Sequence, residues 1–349
     1  MTTSRLRATR FSVLDRSRTR RGRSQGEALR DTVRFARRAE ALGYHRFWVA
    51  EHHSVPGVAG AAPTVLAAAV ASATRRVRVG TGGVMLPNHR PLVMAEQFGV
   101  LASLFPGRID MGLGRSVGFT DGVRRALGTA EDARDGFGAG LAELLGYFTC
   151  EQRTHPEVHA HPAEGLLPPA FVLATGAGAD IAAAAGLALV IGGVGGEDRT
   201  LRAIDRYRAG FRPSAWWDRP YVVVAGTVAV AGTTEDARRL LLPEAWALAR
   251  SRTRGVFPPL VPAEEVAALE ADGMTGKERG FYQEALRGHI HGTEEEVATA
   301  LEALIGRSGA DEVLVTTSTH DRAAMLDSYR RLARLAGLPA EAGGALRAA

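Results

Sequence analysis

A carboxylate and two imidazoles stand side by side at Glu51, His52 and His53, directly after a short β-rich run at residues 46–50. Imidazoles change their charge near neutral pH, so this run suits acid–base chemistry. Adjacent residues of an extended chain point to opposite sides, so His52 and His53 cannot both face one site while the strand persists. We expect one of them to face the site while its neighbour packs or pairs with an acid. The alternative is a buried, hydrogen-bonded cluster without a catalytic role.

Metal binding at this run would need a further ligand of suitable geometry. His89 and His320, at two other strand ends, are the obvious candidates for completing a zinc site. Cys150 is the single cysteine, which excludes both an intramolecular disulfide and a cysteine-rich zinc site. We therefore predict no bound metal.

The next strand end carries Thr81, Gly82 and Gly83 in succession. Glycines remove side chains where another group must approach the backbone closely, so a flat ring could lie against this segment. An ordinary bulge or turn is the alternative. The spacing of the glycines matches neither a dinucleotide-binding G-x-G-x-x-G loop nor a P-loop.

Arg115 follows the fourth β-rich run, directly after Gly112 and Gly114. Its guanidinium could bind an anion such as a phosphate through two parallel hydrogen bonds. An ion pair with Glu51 or Glu96 is the alternative interpretation. Arg115 taken alone is therefore weak support for an anion site.

A glycine-rich turn at Thr175, Gly176 and Gly178 follows the fifth β-rich run and opens a helix. Backbone N–H groups of such a turn can bind a phosphate, and the Thr175 hydroxyl could add a donor. Asp180 suits a helix N-cap, but its negative charge disfavours a phosphate nearby. The turn predicts a phosphate site that the charge of Asp180 opposes.

The elements that must position these residues alternate strictly between β-rich runs and Ala-rich helical segments. Eight strands are predicted, at residues 8–14, 46–50, 77–80, 108–113, 170–174, 187–191, 221–230 and 312–316. This alternation indicates parallel strands with right-handed crossovers, and eight such units favour a (β/α)8 TIM barrel over an open doubly wound sheet. We predict one domain over residues 1–349, with irregular insertions at about 149–169 and 252–288. In a barrel of this kind the functional residues lie where each strand ends.

Composition and charge exclude several other classes. The chain has 349 residues, of which 46% are hydrophobic and 23% charged, as in ordinary globular domains. The net charge of +5 could suggest nucleic-acid binding, but Lys277 is the single lysine among 43 basic residues. An arginine-rich composition explains this better, so we expect no nucleic-acid partner. Neither a transmembrane helix nor a secretory signal is expected, and a cytoplasmic location follows.

The segment 16–23 is unusual because five of its eight residues are arginine. Two interpretations are open, a mobile lid over an anionic group and a solvated loop. We favour the solvated loop.

The residues at these strand ends resemble a known family. The runs that carry the resemblance are Tyr-His-Arg-Phe-Trp-Val-Ala-Glu-His-His at 44–53, residues 79–89 from Val79 to His89, Ala-Glu-Gln-Phe at 95–98 and residues 106–115 from Pro106 to Arg115. They closely resemble the bacterial luciferase-like, flavin-dependent monooxygenases. The match is dense over residues 8–128 and recurs at 211–221 and 309–317.

The resemblance implies a (β/α)8 barrel, usually a homodimer, that binds reduced FMN at the carboxyl ends of its strands. His52 would lie beside the flavin ring as an acid–base group, with Glu51 next to it in the catalytic run. The segment from Thr81 to Gly83 would pass under the ring, often with a non-prolyl cis peptide bond. The cofactor-binding residues that the resemblance implies are Thr81, Gly82, Gly83, Arg115, Thr175, Gly176 and Gly178.

The activity that the resemblance implies is oxidation of a small organic substrate by dioxygen through a flavin peroxide. A separate reductase would supply the reduced flavin, because the chain has no dinucleotide-binding fingerprint. Two alternatives remain, a deazaflavin-dependent hydride-transfer oxidoreductase on the same fold and a non-catalytic flavin-binding barrel. Relatives that use the deazaflavin tend to lack the Glu-His-His run.

Two departures from the family pattern concern the phosphate end. Relatives usually carry serines in the fifth-strand turn, whereas Thr175 is the one hydroxyl residue here and Asp180 adds a negative charge. The sixth strand ends in Ile-Gly-Gly-Val at 191–194, where relatives often have aromatic residues and histidines. Both differences bear on how tightly a flavin phosphate would bind.

Overall fold

A computed structural model describes residues 5–192 and 196–340 of the chain. Gly193 and Val194, part of the divergent sixth strand end, lie outside the described residues. The strands are β1 Arg10–Asp15, β2 Arg46–Val49, β3 Arg78–Thr81, β4 Val84–Met85, β5 Ile109–Gly114, β6 Ala170–Ala174, β7 Ala188–Gly192, β8 Val222–Gly226, β9 Val228–Val230, β10 Ile290–Gly292 and β11 Glu312–Val315.

Helices alternate with these strands along the chain. They are α1 Arg5–Ala8, α2 Gln25–Ala41, α3 Pro63–Ala73, α4 Pro91–Leu104, α5 Asp121–Leu127, α6 Phe137–Thr149, α7 Gly178–Ala184, α8 Glu197–Gly210, α9 Thr234–Arg254, α10 Ala263–Asp272, α11 Gly276–Leu286, α12 Glu294–Ser308 and α13 Arg322–Leu335. Single 3₁₀ turns lie at Leu86–Asn88 and Glu131–Gly136. Among the described helices, none combines the length and the apolar character that crossing a membrane requires.

The strand order confirms the predicted fold class. The main sheet follows the order β3, β2, β1, β11, β8, β7, β6, β5 and β4, and β3 also pairs with β5. This additional pairing closes eight strands into a ring, so the fold is a (β/α)8 barrel. β4 extends the sheet just beyond β3, and β9 pairs with β10 in a separate two-stranded sheet.

The described chain contains two compact units. The first comprises the described parts of Met1–Phe47, Val55–Ala59 and Gly226–Ala349, and the second comprises Trp48–Ser54 and Gly60–Ala225. The expectation of a single domain over the whole length stays a prediction. Each unit has its own buried core.

In the first unit, β1 and β11 pair in parallel, with Arg10 opposite Glu312. Phe11, Val13 and Leu314 are fully buried between these strands and their helices. Arg46 Nε lies 2.9 Å from Glu312 Oε1, and both side chains are almost completely buried. A buried pair of this kind holds two charges in place because neither can be left without its partner.

Capping residues set several helix boundaries in this unit. Ser24 and Glu27 form a capping box at the start of α2, and Thr293 does the same with Glu296 at α12. Each box satisfies backbone N–H groups that would otherwise lack partners. The N-cap of α9 is Thr233, whose side chain accepts from the backbone N–H of Asp236.

Two predictions about the strands and helices were wrong. The single strand predicted at 221–230 is two strands, β8 and β9, because the chain breaks at Thr227 and β9 pairs with β10. The segment 252–288, predicted to be irregular, contains the end of α9 and the helices α10 and α11. Its three prolines lie at 258, 259 and 262, before α10, and therefore leave both helices intact. The segment 149–169 does lack helices and strands, as predicted.

The arginine-rich segment 16–23 is not a solvated loop. Arg18 and Arg20 are buried, and Arg18 Nε lies 3.0 Å from Glu244 Oε2. Arg20 Nε donates to the carbonyl oxygens of Thr319 and His320. Partners distant in sequence bury these charges, which composition alone could not reveal. Both interpretations of the segment, the lid and the solvated loop, were therefore wrong for Arg18 and Arg20.

In the second unit, β3, β5, β6, β7 and β8 pair in parallel from one strand to the next. Their residues are almost continuously buried, as expected for a parallel sheet covered on both faces. Trp48 anchors the interior, with its Nε1–H donating to Asp110 Oδ2 at 3.0 Å and its ring in edge contact with Phe171. Since the strands are parallel, their carboxyl ends bring the predicted site residues to one edge of the sheet.

Candidate functional site

The end of β3 is a stretch of backbone packed tightly against β5. A Cβ atom at Gly112 would overlap the carbonyl oxygen of Thr81, and one at Gly83 would lie 2.9 Å from the Gly112 oxygen. Thr81 Oγ1 donates to that same oxygen at 2.7 Å, and Gly82 N–H donates to Val49 O at 2.8 Å. The peptide bond between Gly82 and Gly83 is cis, as the resemblance implied. The segment thus presents backbone without side chains at the strand end.

The Glu51 carboxylate lies beside this segment and is hydrogen-bonded from three directions. Its Oε1 lies 2.6 Å from His53 Nε2 and 2.9 Å from His89 Nε2. Its Oε2 accepts from the backbone N–H of Met85 at 2.9 Å, just beyond the glycine pair. Glu51 is fully buried, whereas both imidazoles are partly exposed. The carboxylate therefore ties the residues after the glycines to the end of β2.

These contacts favour the ionised form of Glu51. Burial opposes ionisation, but the hydrogen bond and charge of His89, with the Met85 N–H and His53, lower the pKa of the carboxyl below its ordinary value. Hydrogen bonds to a charged group favour that charged form. Glu51 is thus an acceptor near neutral pH, and the two imidazoles are its donors.

The same three groups offer one ligand atom each within 4.8 Å of one another, as a metal site would require. The separations of 2.6 and 2.9 Å are those of direct hydrogen bonds between carboxylate and imidazole. Hydrogen bonding alone therefore accounts for the cluster of Glu51, His53 and His89. Among the described residues, this cluster comprises Glu51, His53 and His89 and does not include His320.

His52 and His53 take different partners, which confirms that one of the two imidazoles pairs with an acid. His53 holds Glu51, while His52 is half-buried and its backbone N–H donates to Gly60 O at 2.8 Å. The imidazole of His52 is thus not committed to Glu51. This separation leaves His52 as the candidate acid–base group of the run.

Arg115 follows β5, and its side chain is 34% exposed. Its Nη2 lies 3.9 Å from Asp135, which is itself 75% exposed, so this ion pair is loose. Glu51, one of the two alternative partners of Arg115 considered from the sequence, is instead hydrogen-bonded to His53 and His89. The position that a Cβ at Gly178 would occupy lies 4.0 Å from Arg115 Cδ. Arg115 therefore adjoins the glycine-rich turn after β6, as a shared anion site requires.

Gly178 of the glycine-rich turn has no space for a side chain. A Cβ at Gly178 would approach the Ala174 Cβ to 2.9 Å, closer than real side chains do. Thr175 is exposed, and its hydroxyl makes no hydrogen bond to any part of the chain that the structure describes. Asp180 lies 3.2 Å from Arg206 Nε on α8, which offsets the negative charge noted in the sequence.

Sequence reasoning named His53 and His89 as candidates without identifying either as a partner of Glu51, and it missed Arg199. His53 and His89 both hold Glu51, and only a fold places His89 against a residue 38 positions away. Arg199, in the first turn of α8, lies beside the glycine-rich turn: its Nη2 is 3.6 Å from where a Cβ at Gly176 would stand. An isolated arginine in a helix of an arginine-rich chain carries no recognisable signal.

The fold and these strand ends define a (β/α)8 barrel whose functional face lies at the carboxyl ends of its strands. Residues 9–334 match the family described as luciferase-like monooxygenase. A protein of Escherichia coli K12 named luciferase-like monooxygenase is 35% identical over 323 residues, which is 91% of this chain and 94% of that protein. The chain therefore belongs to the luciferase-like monooxygenase family.

Solved structures agree with this assignment. The structure of apo-MsnO8 is 29% identical, with a TM-score of 0.83, and the match covers 96% of this chain and all of that one. More distant structures share the fold at TM-scores of 0.67 and 0.69. The first is the oxygenating constituent of a Pseudomonas putida diketocamphane monooxygenase in complex with FMN, which is 17% identical, and the match covers 94% of this chain and 97% of that one. The second is an F420-dependent secondary alcohol dehydrogenase, which is 18% identical, and the match covers 94% of this chain and 99% of that one.

Proposed function

We propose that the protein is a flavin-dependent monooxygenase that uses reduced FMN and dioxygen to oxidise a small organic substrate. The observation that carries this proposal is the bare strand end from Thr81 to Gly83 beside the Glu51 cluster. Family membership supports monooxygenase chemistry. A separate reductase would deliver the reduced flavin, since no nicotinamide-binding fingerprint exists in the sequence.

The residues present fit a bound FMN. Gly83 packs against Gly112 without space for a Cβ, and Gly82 also lacks a side chain, so the strand end offers backbone on which we propose the flat ring lies. Arg115, with its loose ion pair, has hydrogen-bonding capacity for a phosphate. Backbone groups of the glycine-rich turn and the Thr175 hydroxyl would add donors. The proposed cofactor-binding residues are Thr81, Gly82, Gly83, Arg115, Thr175, Gly176 and Gly178.

Reduced FMN, when bound, supplies the electrons that activate dioxygen. The chain's own contribution is proton transfer and positioning. His52 would donate and accept a proton at its imidazole, because an imidazole is the side chain that ordinarily changes its charge near neutral pH. Glu51 would act indirectly, since His53, His89 and the Met85 N–H occupy its carboxylate and thereby hold the segment under the ring.

Hydride transfer with a deazaflavin cofactor is the second candidate, because an F420-dependent dehydrogenase shares this fold. The Glu-His-His run favours FMN, since it offers acid–base chemistry next to the ring. A binding barrel without catalysis is the third. Anaerobic titration with reduced FMN and with reduced F420, followed by stopped-flow mixing with dioxygen, separates the three.

We expect the protein to bind reduced FMN and to change the time course of its oxidation relative to free FMN. The physical reason is that the protein excludes water and supplies a proton donor during the reaction. Binding of reduced F420 in place of FMN would favour the hydride-transfer alternative. Binding of FMN with the oxidation time course of the free flavin would favour the non-catalytic barrel.

A second copy of the chain is the proposed partner of the apolar surface on α3 and α4. Val93, Val100 and Leu104 share one face of α4 and are 41–65% exposed, and Val65 on α3 is 70% exposed. Residues seven and eleven positions apart on a helix lie on the same side, so these side chains form a stripe. An exposed apolar stripe of this kind is typical of a subunit interface.

We expect the wild-type protein to have twice its 37.0 kDa chain mass in size-exclusion chromatography with light scattering. Val100→Glu combined with Leu104→Glu should give the mass of one chain, because charges replace the apolar stripe. Val256→Glu, at a similarly exposed valine elsewhere, is the matched control and should stay dimeric. A monomeric wild type, or a double variant that stays dimeric, would refute this interface.

A further inference from the structure

The glycine-rich turn at the phosphate end of the proposed flavin site has few hydroxyl donors. Thr175 is the one hydroxyl residue in the segment from Ala174 to Asp180. A phosphate carries nearly two negative charges and strong acceptor oxygens. If FMN binds here, donors from another element must compensate for the absent hydroxyls.

Arg199 is the residue that can do so. It lies in the first turn of α8, it is exposed, and its Nη2 is 3.6 Å from the position of a Cβ at Gly176. Within residues 5–192 and 196–340, Arg199 forms neither a hydrogen bond nor an ion pair. Its five N–H donors are therefore not engaged by the described chain.

Arg115 reaches the same turn from β5. Its Cδ is 4.0 Å from the position of a Cβ at Gly178, two residues beyond the one that Arg199 adjoins. The side chains of Arg115 and Arg199 thus both adjoin a turn that has no side chains at Gly176 and Gly178. Two such groups can each donate in parallel to phosphate oxygens, a geometry that guanidinium favours over ammonium.

The negative charge of Asp180 in this turn is balanced by an ion pair with Arg206. Asp180 lies 3.2 Å from Arg206 Nε, so α8 supplies both the arginine that adjoins Gly176 and the arginine that pairs with Asp180. The charge that seemed unfavourable in the sequence is therefore compensated by the same helix.

We propose that Arg199 binds the phosphate of FMN together with Arg115, and that it replaces the hydroxyl donors absent from the turn. This inference rests on the proposed FMN function. It makes Arg199 a determinant of specificity for a phosphorylated flavin over riboflavin, which has the same ring without the phosphate.

Dissociation constants for reduced FMN and reduced riboflavin, measured anaerobically by quenching of tryptophan fluorescence, test the proposal. We expect Arg199→Ala to weaken FMN binding about tenfold and to leave riboflavin binding unchanged, because one charge-assisted contact is lost. Arg115→Ala should behave similarly. Arg202→Ala, an exposed arginine one turn further along α8, is the matched control and should match the wild type.

Arg199→Lys keeps the charge without the planar fork and should fall between wild type and Arg199→Ala. Circular dichroism and melting temperature establish that each variant is folded. Equal FMN affinities of wild type and Arg199→Ala, or equal losses for FMN and riboflavin, would overturn the role of Arg199 alone. A wild type that binds neither flavin would refute the proposed function, and this inference with it.

Discussion

Substitution of His52 by glutamine is expected to slow the protein-dependent reaction of bound reduced FMN with dioxygen by about 10²–10⁴-fold. Glutamine has a similar size and can hydrogen-bond, but it cannot exchange a proton near neutral pH. The backbone bond from His52 N–H to Gly60 O does not involve the side chain and should persist. Stopped-flow absorbance under single-turnover conditions measures this effect.

The controls separate chemistry from folding and binding. Affinity for reduced FMN and melting temperature should stay near the wild-type values, because the proposed site holds the ring on backbone and the phosphate on other residues. His159→Gln, at an exposed histidine paired with Glu164, is the matched substitution and should have no effect. A His52→Gln variant that reacts within threefold of wild type would show that another group transfers the proton.

Arg18→Met is expected to destabilise the protein by about 3–5 kcal/mol, the range for breaking a buried ion pair. The Arg18 side chain is 1% exposed, and its guanidinium donates to Glu244 Oε2 at 3.0 Å and to the Gly57 carbonyl oxygen. It also lies 4.2 Å from the centroid of the Phe257 ring. Methionine could fill the space, but it would leave buried acceptors without a donor.

Burial lowers the pKa of Arg18 to about 10, although the Glu244 carboxylate opposes this shift. The guanidinium therefore stays charged at neutral pH, and its loss affects stability under ordinary conditions. Differential scanning calorimetry should show a fall of about 5 °C in melting temperature, given the large unfolding entropy of a chain this size. Arg23→Met, in the same segment but exposed and paired with Glu27, should change it by less than 1 °C. Equal melting temperatures of Arg18→Met and Arg23→Met would contradict this account.

Local patterns predicted most of the fold. The apolar runs of β6 and β7 were recognisable because strand signals act over a few residues. The short strands β4 and β10 were missed because two or three residues carry no detectable period. The helices α10 and α11 were missed because prolines nearby suggested an irregular segment.

The sequence predicted those site residues that directly follow a recognisable strand. Strict alternation of strand and helix implied parallel strands, and parallel strands bring their carboxyl ends to one edge. This reasoning pointed to the run from Glu51 to His53, to Thr81 and to Arg115, and the family resemblance then selected His52. The choice between His52 and His53 as the partner of Glu51 could not be made, because it depends on the chain path after β2.

By itself, the sequence determined the (β/α)8 class, the order of the strand ends and the residue types that each one carries. Only the tertiary structure decided that His89 joins Glu51, that Arg199 adjoins Gly176, and that Arg18 is buried against Glu244. The reason is physical. The formation of helices and strands depends on backbone preferences and on the spacing of apolar residues nearby in the sequence. Each of these three pairs instead joins residues 23 to 226 positions apart, which meet only when packing and burial of the whole unit bring them together.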